Sequence, residues 1–314
     1  MFKKIEFNID QSIREDIEEQ IKMLTHDLSL EDIHSKKFPS IPDSISELLK
    51  FKIPDIIEKL REITDDPYTY LLISNAPIAY PFSQNNNRHP ICECFQHGLL
   101  RASGHTIDAP LYGKAFVNVT PRLGVDDDSL LEEESGVSPF SLHNDGANYI
   151  EYSSAVCLAY GTGDDVVTSY VDLGLALGEI TKHDVSILKQ DIFEQHPGDT
   201  SSCLNIIKGP LIDENSRPKF NLTEGRTKLL EDSDETKNAL NSFVKACNNN
   251  LHQITFKTGQ VAVFSGEIIH GRDSFTPSKT NPRFAVRLRG TSEKMCAEIR
   301  EKNHNLTEPH YPGL

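Results

Sequence analysis

Apolar residues in the first sixty positions recur with helical period. Ile13, Ile17, Ile21, Leu24 and Leu28 fall on one stripe with charges opposite, which predicts a helix over residues 10–28. A second helical pattern, 44–63, carries Ile45, Leu48, Leu49, Ile56, Ile57, Leu60 and Ile63, and Pro54 must interrupt or split it. Tyr70-Leu71-Leu72-Ile73-Ser74 then reads as a buried strand, ended by Asn75-Ala76-Pro77. The run Ser83-Gln84-Asn85-Asn86-Asn87 reads as a loop.

From about residue 115 short β-rich runs take over: 116–119, 155–160, 166–171, 254–256, 261–264 and 284–288. Thr258-Gly259 has the composition of a hairpin turn between two of them. Helical inserts are expected near 184–194 and 234–251. The second presents Leu240, Phe243, Val244, Cys247 and Leu251 on one face, with Asp232 or Ser233 as its cap. No internal repeat and no long linker divides the chain. The expectation is one domain over 1–314: a helical layer (1–65), a two-sheet β core (66–292) and a tail (293–314).

Composition narrows the classes without choosing among them. The chain has 314 residues, 37% apolar and 25% charged, with no apolar run of the ~18 residues a membrane helix needs. Met1-Phe2-Lys3-Lys4 carries the charges of a signal peptide without the apolar stretch that follows one, so a cytoplasmic location is expected. A formal net charge of -15 argues against non-specific nucleic-acid binding. The six cysteines are scattered and read as reduced thiols. His89, His97 and His105 with Cys92 and Cys94 match no zinc-module spacing and read as polar surface; His196-Pro197 reads as a loop.

The chemistry concentrates in His143-Asn144-Asp145 and His270. Residues i and i+2 of a strand share a face, so His143 and Asp145 can reach one ion, and Ile268-Ile269-His270-Gly271 can deliver another imidazole from a second strand. Two histidines and one carboxylate on one face of an octahedral metal leave the opposite face open, the donor set of a non-haem Fe(II) centre. In Arg283-Phe284-Ala285-Val286-Arg287 both arginines share the face of Ala285. Inward-facing guanidiniums would call for an anion such as a dicarboxylate. Period alone allows Phe284 and Val286 to be the buried face instead.

These segments together resemble the Fe(II)/2-oxoglutarate-dependent oxygenases, in particular the clavaminate synthase-like branch of amino-acid hydroxylases, with taurine dioxygenase a more distant relative. Residues 142–149 are similar to the family's Leu-His-Thr-Glu/Asp-Asn stretch, and 166–172 to its strand with a co-substrate-binding Thr. Residues 258–277 are similar to Pro-Gly-Asp … His-(Gly/Ala)-Arg-x-x-Phe-x-Pro, and 283–287 to Arg-Trp-Leu-x-Arg. With Tyr70–Pro77 the resemblance spans roughly 70–290. It implies a mostly β fold with flanking helices, a double-stranded β-helix (jelly-roll) core, and inward-facing arginines. It further implies Fe(II) on His143, Asp145 and His270, and 2-oxoglutarate on Arg283 with Thr168 and Arg287, with O2 as second co-substrate. Asp145 stands where the arginine hydroxylases have Glu, and Asn75 where the early strand usually has Gly.

The implied reaction is hydroxylation of an unactivated C–H of a small molecule, an amino acid or derivative, with release of succinate and CO2. Desaturation or cyclisation within the same family is the alternative. A metal-dependent hydrolase or isomerase on a jelly roll is another, and a non-catalytic binding module a third. Ser141, Asn148 and Glu224 are candidate substrate contacts; Ser135, Ser138, Tyr149 and Arg226 are others. The acids of 126–134 lie where the family has a lid. They would attract a cationic substrate, or form a solvated loop.

Overall fold

In a computed structural model, the chain is described for residues 2–34, 41–63, 66, 68–78, 88–107, 116–119, 139–144, 155–162, 166–195, 207–218, 227–276 and 283–292. The architecture is a jelly-roll core of two facing sheets with helices flanking both. The larger sheet, of seven strands, joins β1 (Lys3–Asn8), β2 (Thr69–Ser74), β12 (Gln260–Phe264), β6 (Ala155–Thr162), β14 (Phe284–Ser292) and β3 (His105–Ile107) in that order, with β4 (Phe116–Val119) also pairing β14. The smaller has the order β11 (Leu251–Thr255), β7 (Val167–Val171), β13 (His270–Arg272), β5 (Phe140–His143). A three-stranded sheet, β10 (Thr227–Leu229), β8 (Phe193–Gln195) and β9 (Ile207–Gly209), lies apart.

Three apolar clusters follow from the two faces of each sheet. Tyr70, Val156, Tyr160, Phe264 and Ala285 of the larger sheet meet Tyr170 of the smaller between the sheets. On the outer face of the larger sheet, Phe284, Val286 and Leu288 pack under the N-terminal helices. Those helices are α1 (Gln11–Leu24), α2 (Leu30–His34), α3 (Asp43–Lys52), α4 (Pro54–Ile63) and α5 (Ile91–Ala102). Behind the smaller sheet, Val171 and Ile269 meet α6 (Leu173–Glu179), α7 (Lys182–Leu188) and α8 (Asp234–Asn249). Strand β14 therefore turns its even-numbered residues to the helices and Ala285, with the odd-numbered arginines, to the gap between sheets.

Pro54 splits the second helical pattern and opens α4 at its first position, where no N–H is needed. Ser233 caps α8 through the Thr236 N–H. Other expectations are corrected. The first helix stops at Leu24, which is 37% exposed, and Leu30–His34 forms a separate turn of helix. Thr258-Gly259 is not a hairpin: β11 belongs to the smaller sheet and β12 to the larger, so the turn, with Gly259 at φ 81, carries the chain across the sandwich. The insert expected at 184–194 is the shorter α7, preceded by α6 and followed by β8. The N-terminal layer also contributes a strand, since β1 pairs in parallel with β2.

Cys92, Cys94, His97 and His105 are not surface residues. They sit on or beside α5, which is buried nearly all round. Its interior holds a charge: Glu93 accepts from Arg88 at 3.0 and 2.5 Å and contacts His34 Nε2 at 2.9 Å. Burial alone would raise the Glu93 carboxyl; the His34 and Arg88 contacts outweigh it and hold it below its ordinary value. Cys92, Cys94, Cys157 and Cys247 are free, buried thiols. Among the described residues no helix is long and apolar enough to cross a membrane. The expected loops at 83–87 and 196–197 lie outside the described residues.

Candidate active site

The smaller sheet aligns four residues abreast. His252 of β11 faces Tyr170 of β7, Tyr170 faces His270 of β13, and His270 faces His143 of β5. The His143 and His270 rings lie 4.3 Å apart between centroids, so two residues 127 positions apart in sequence meet by strand pairing. Each imidazole is oriented in the same way: Nδ1 lies 2.8 Å from Ser141 O in His143, and 3.0 Å from Ile268 O in His270. A carbonyl can only accept, so each Nδ1 is the N–H donor and the lone pair is on Nε2. That is the tautomer a divalent metal takes, with its orienting partner in place.

Two residues along β13, Arg272 faces Thr168 on one side and Phe140 on the other. Two steps on β13 match three on β5, and this bulge turns both Phe140 and His143 toward the cavity. Gly271 makes the close approach possible: a Cβ there would lie 2.9 Å from the Phe140 carbonyl oxygen.

The opposite wall comes from the larger sheet. Together the sheets enclose a cleft of about 790 Å³, counting the space at its mouth. His143, His270, Thr168, Arg272, Arg283 and Arg287 line it with apolar neighbours Val117, Val119 and Leu158. Arg272 and Arg283 are buried, and none of the described lining residues is acidic. Burial and the nearby Arg283 charge depress Arg272 to about 10, so a second cation already burdens the first. The structure thus turns the Arg283–Arg287 face inward.

Of the expected site residues, the structure brings together His143, His270, Thr168, Arg283 and Arg287. Asp145, Asn148, Tyr149, Glu224, Arg226, Ser135, Ser138 and the acids of 126–134 lie outside the described residues. Ser141 is absent from the described lining; its carbonyl orients His143 instead. Sequence reasoning missed Arg272, although it stands two residues beyond His270 and so shares its face. It also missed Tyr160, whose inward direction follows from pairing with Ala285.

The fold is similar to that of solved jelly-roll non-haem iron oxygenases. Among solved structures, asparagine oxygenase in complex with Fe(II), 2S,3S-3-hydroxyasparagine and succinate matches with a TM-score of 0.70 at 15% identity, over 91% of this chain and 94% of that one. The non-haem iron oxygenase OrfP, in complex with Fe, succinate and (3S)-hydroxy-L-Arg, matches with a TM-score of 0.73 at 16% identity, over 94% and 96%. A further OrfP structure contains Fe and alpha-ketoglutaric acid. No protein-family model and no curated protein matches the sequence.

Proposed function

We propose that the protein is an Fe(II)- and 2-oxoglutarate-dependent dioxygenase that hydroxylates an amino acid or amino-acid derivative. The observation that carries this reading is the pairing of His143 with His270, both in the metal-binding tautomer, inside a cleft shared with buried arginines. The similarity in fold to asparagine oxygenase and OrfP, which act on amino acids, supports it.

His143, Asp145 and His270 hold the iron in this reading. When bound, Fe(II) supplies the O2 activation that couples oxidative decarboxylation of 2-oxoglutarate, to succinate and CO2, with C–H hydroxylation. The protein's own work is positional. The Ser141 and Ile268 carbonyls each accept from Nδ1 and leave the Nε2 lone pair of His143 and of His270 for the metal. Arg283, with Thr168 and Arg287, draws the distal carboxylate into a low-dielectric wall where charge-assisted hydrogen bonds are strong. Val117, Val119, Leu158 and Phe140 exclude water from the reacting region. The buried free thiols suit a reducing cytoplasm.

The test is anaerobic addition of Fe(II) and 2-oxoglutarate. A weak visible charge-transfer band from the chelate is expected under nitrogen, and, once O2 is admitted, succinate formation stimulated by one or more members of an amino-acid panel. A chain that binds metal but gives neither band nor succinate is a hydrolase, isomerase or binding module instead.

A further inference from the structure

Tyr160 is a buried polar group to which the roles above give no task. It is 4% exposed, and its ring stacks on Phe256 at 4.1 Å and 9°, which fixes where the hydroxyl points. Pairing with Ala285 turns it into the gap between sheets, where it lines the cleft. Its hydroxyl lies beside the Thr168 side chain and the Arg283 guanidinium, yet completes no hydrogen bond of good geometry. A shielded hydroxyl without an acceptor is costly, and natural structures rarely leave one without a reason.

The neighbours say what is missing. A guanidinium is donor-only, while the Thr168 and Tyr160 hydroxyls each have a proton to give. Burial raises the phenol's pKa against the opposing pull of Arg283, so the proton stays in place. Three donors therefore converge on one corner of a cleft whose described lining has no carboxylate. A carboxylate, with about four lone-pair sites, satisfies them at once. Arg272 adds charge to the same corner: it faces Thr168 across the ladder, with its guanidinium held over the Phe275 ring at 5.0 Å and donating to Asp273 O at 3.0 Å.

We infer that Tyr160 is a co-substrate-binding residue, whose hydroxyl donates to the distal carboxylate of 2-oxoglutarate beside Arg283 and Thr168, in a corner whose positive field Arg272 strengthens. The inference rests on the reading of the cleft proposed above.

Tyr160→Phe removes one oxygen and keeps the stack on Phe256. Binding of Mn(II), and then of 2-oxoglutarate to the Mn(II) protein under nitrogen, is measured by calorimetry for wild type, Tyr160→Phe and Arg283→Ala. Loss of a hydrogen bond to a charged group is expected to weaken 2-oxoglutarate binding about ten- to a hundredfold in Tyr160→Phe, with Mn(II) affinity within about twofold of wild type. Unchanged 2-oxoglutarate affinity in Tyr160→Phe, beside a weakened Arg283→Ala, overturns the inference and leaves the proposed function standing. Equal losses for metal and co-substrate also overturn it, because they mark a displaced wall. Failure of the metal-loaded wild type to bind 2-oxoglutarate sinks the proposed function itself.

Discussion

Gly271→Ala tests whether strand pairing is what brings the two imidazoles together. The added Cβ would meet the Phe140 carbonyl oxygen at 2.9 Å and Leu142 Cδ2 at 3.2 Å. Ordinary contacts begin near 3.4 Å, so β13 and β5 must part by about half an ångström. The first obstacle is backbone, which cannot rotate out of the way as a side-chain end can. Overpacking of this kind costs about 1–3 kcal/mol in stability. Its effect on the site should be larger in proportion, because Gly271 follows His270 directly and Phe140 stands three residues before His143. A displacement of about 0.5 Å is the tolerance of a pre-organised ligand set. The expected result is a urea-melt loss of about 1–3 kcal/mol together with a Mn(II) affinity at least about tenfold weaker, read by titration under nitrogen. Wild-type metal affinity in a folded Gly271→Ala protein would refute the argument that this contact sets the ligand spacing.

Two further predictions concern the helical layer. Glu93→Gln leaves the buried Arg88 guanidinium without its counter-charge and should destabilise the fold by about 3–5 kcal/mol in urea melts, while Glu93→Leu combined with Arg88→Met recovers much of the loss; a single-variant effect below about 1 kcal/mol contradicts the assignment. His97 is held down to about 4 by burial, with Arg101's charge adding to the effect. Between that value and the ordinary 6.5, the unfolded chain takes up a proton that the folded chain does not, so stability should fall as pH drops through this window, by up to roughly 3 kcal/mol. Urea melts at pH 7 and pH 5 should show a steeper loss in wild type than in His97→Leu; parallel losses would count against it.

Local pattern was enough for the elements that obey a simple period. Pro54 marked a helix boundary, and the apolar runs at 70–74, 155–160 and 261–264 became strands because their side chains are largely buried on both faces. Helix α5 escaped notice for the opposite reason: buried nearly all round, it has no polar stripe, and its Cys92, Cys94 and His97 read as polar surface. Strand β1 shows exposed Lys3, Lys4 and Glu6 and owes its place to pairing with β2, which no local window records. The same limit produced the mistaken hairpin at Thr258-Gly259, since composition specifies a turn and not the sheet on its far side. At the site, residue type and spacing pointed to His143, His270 and Arg283. The facing of the arginines, the Phe140–His143 bulge and the aim of Tyr160 are tertiary facts. Asn75, where the early strand usually has Gly, fits the same logic: its φ of 57 needs a residue tolerant of the left-handed region, and its amide donates to Ile9 O at 2.7 Å.

In the proposed reading of the cleft, the pleat of the smaller sheet would also act as a length gauge. Tyr170 stands level with the paired imidazoles, and Thr168 lies one full repeat down the same strand, about 7 Å away. An extended five-carbon diacid spans nearly that interval. Oxaloacetate, one carbon shorter, would have to release one of its two ends, so discrimination between keto diacids would come from the rise of a β-strand as well as from any single side chain.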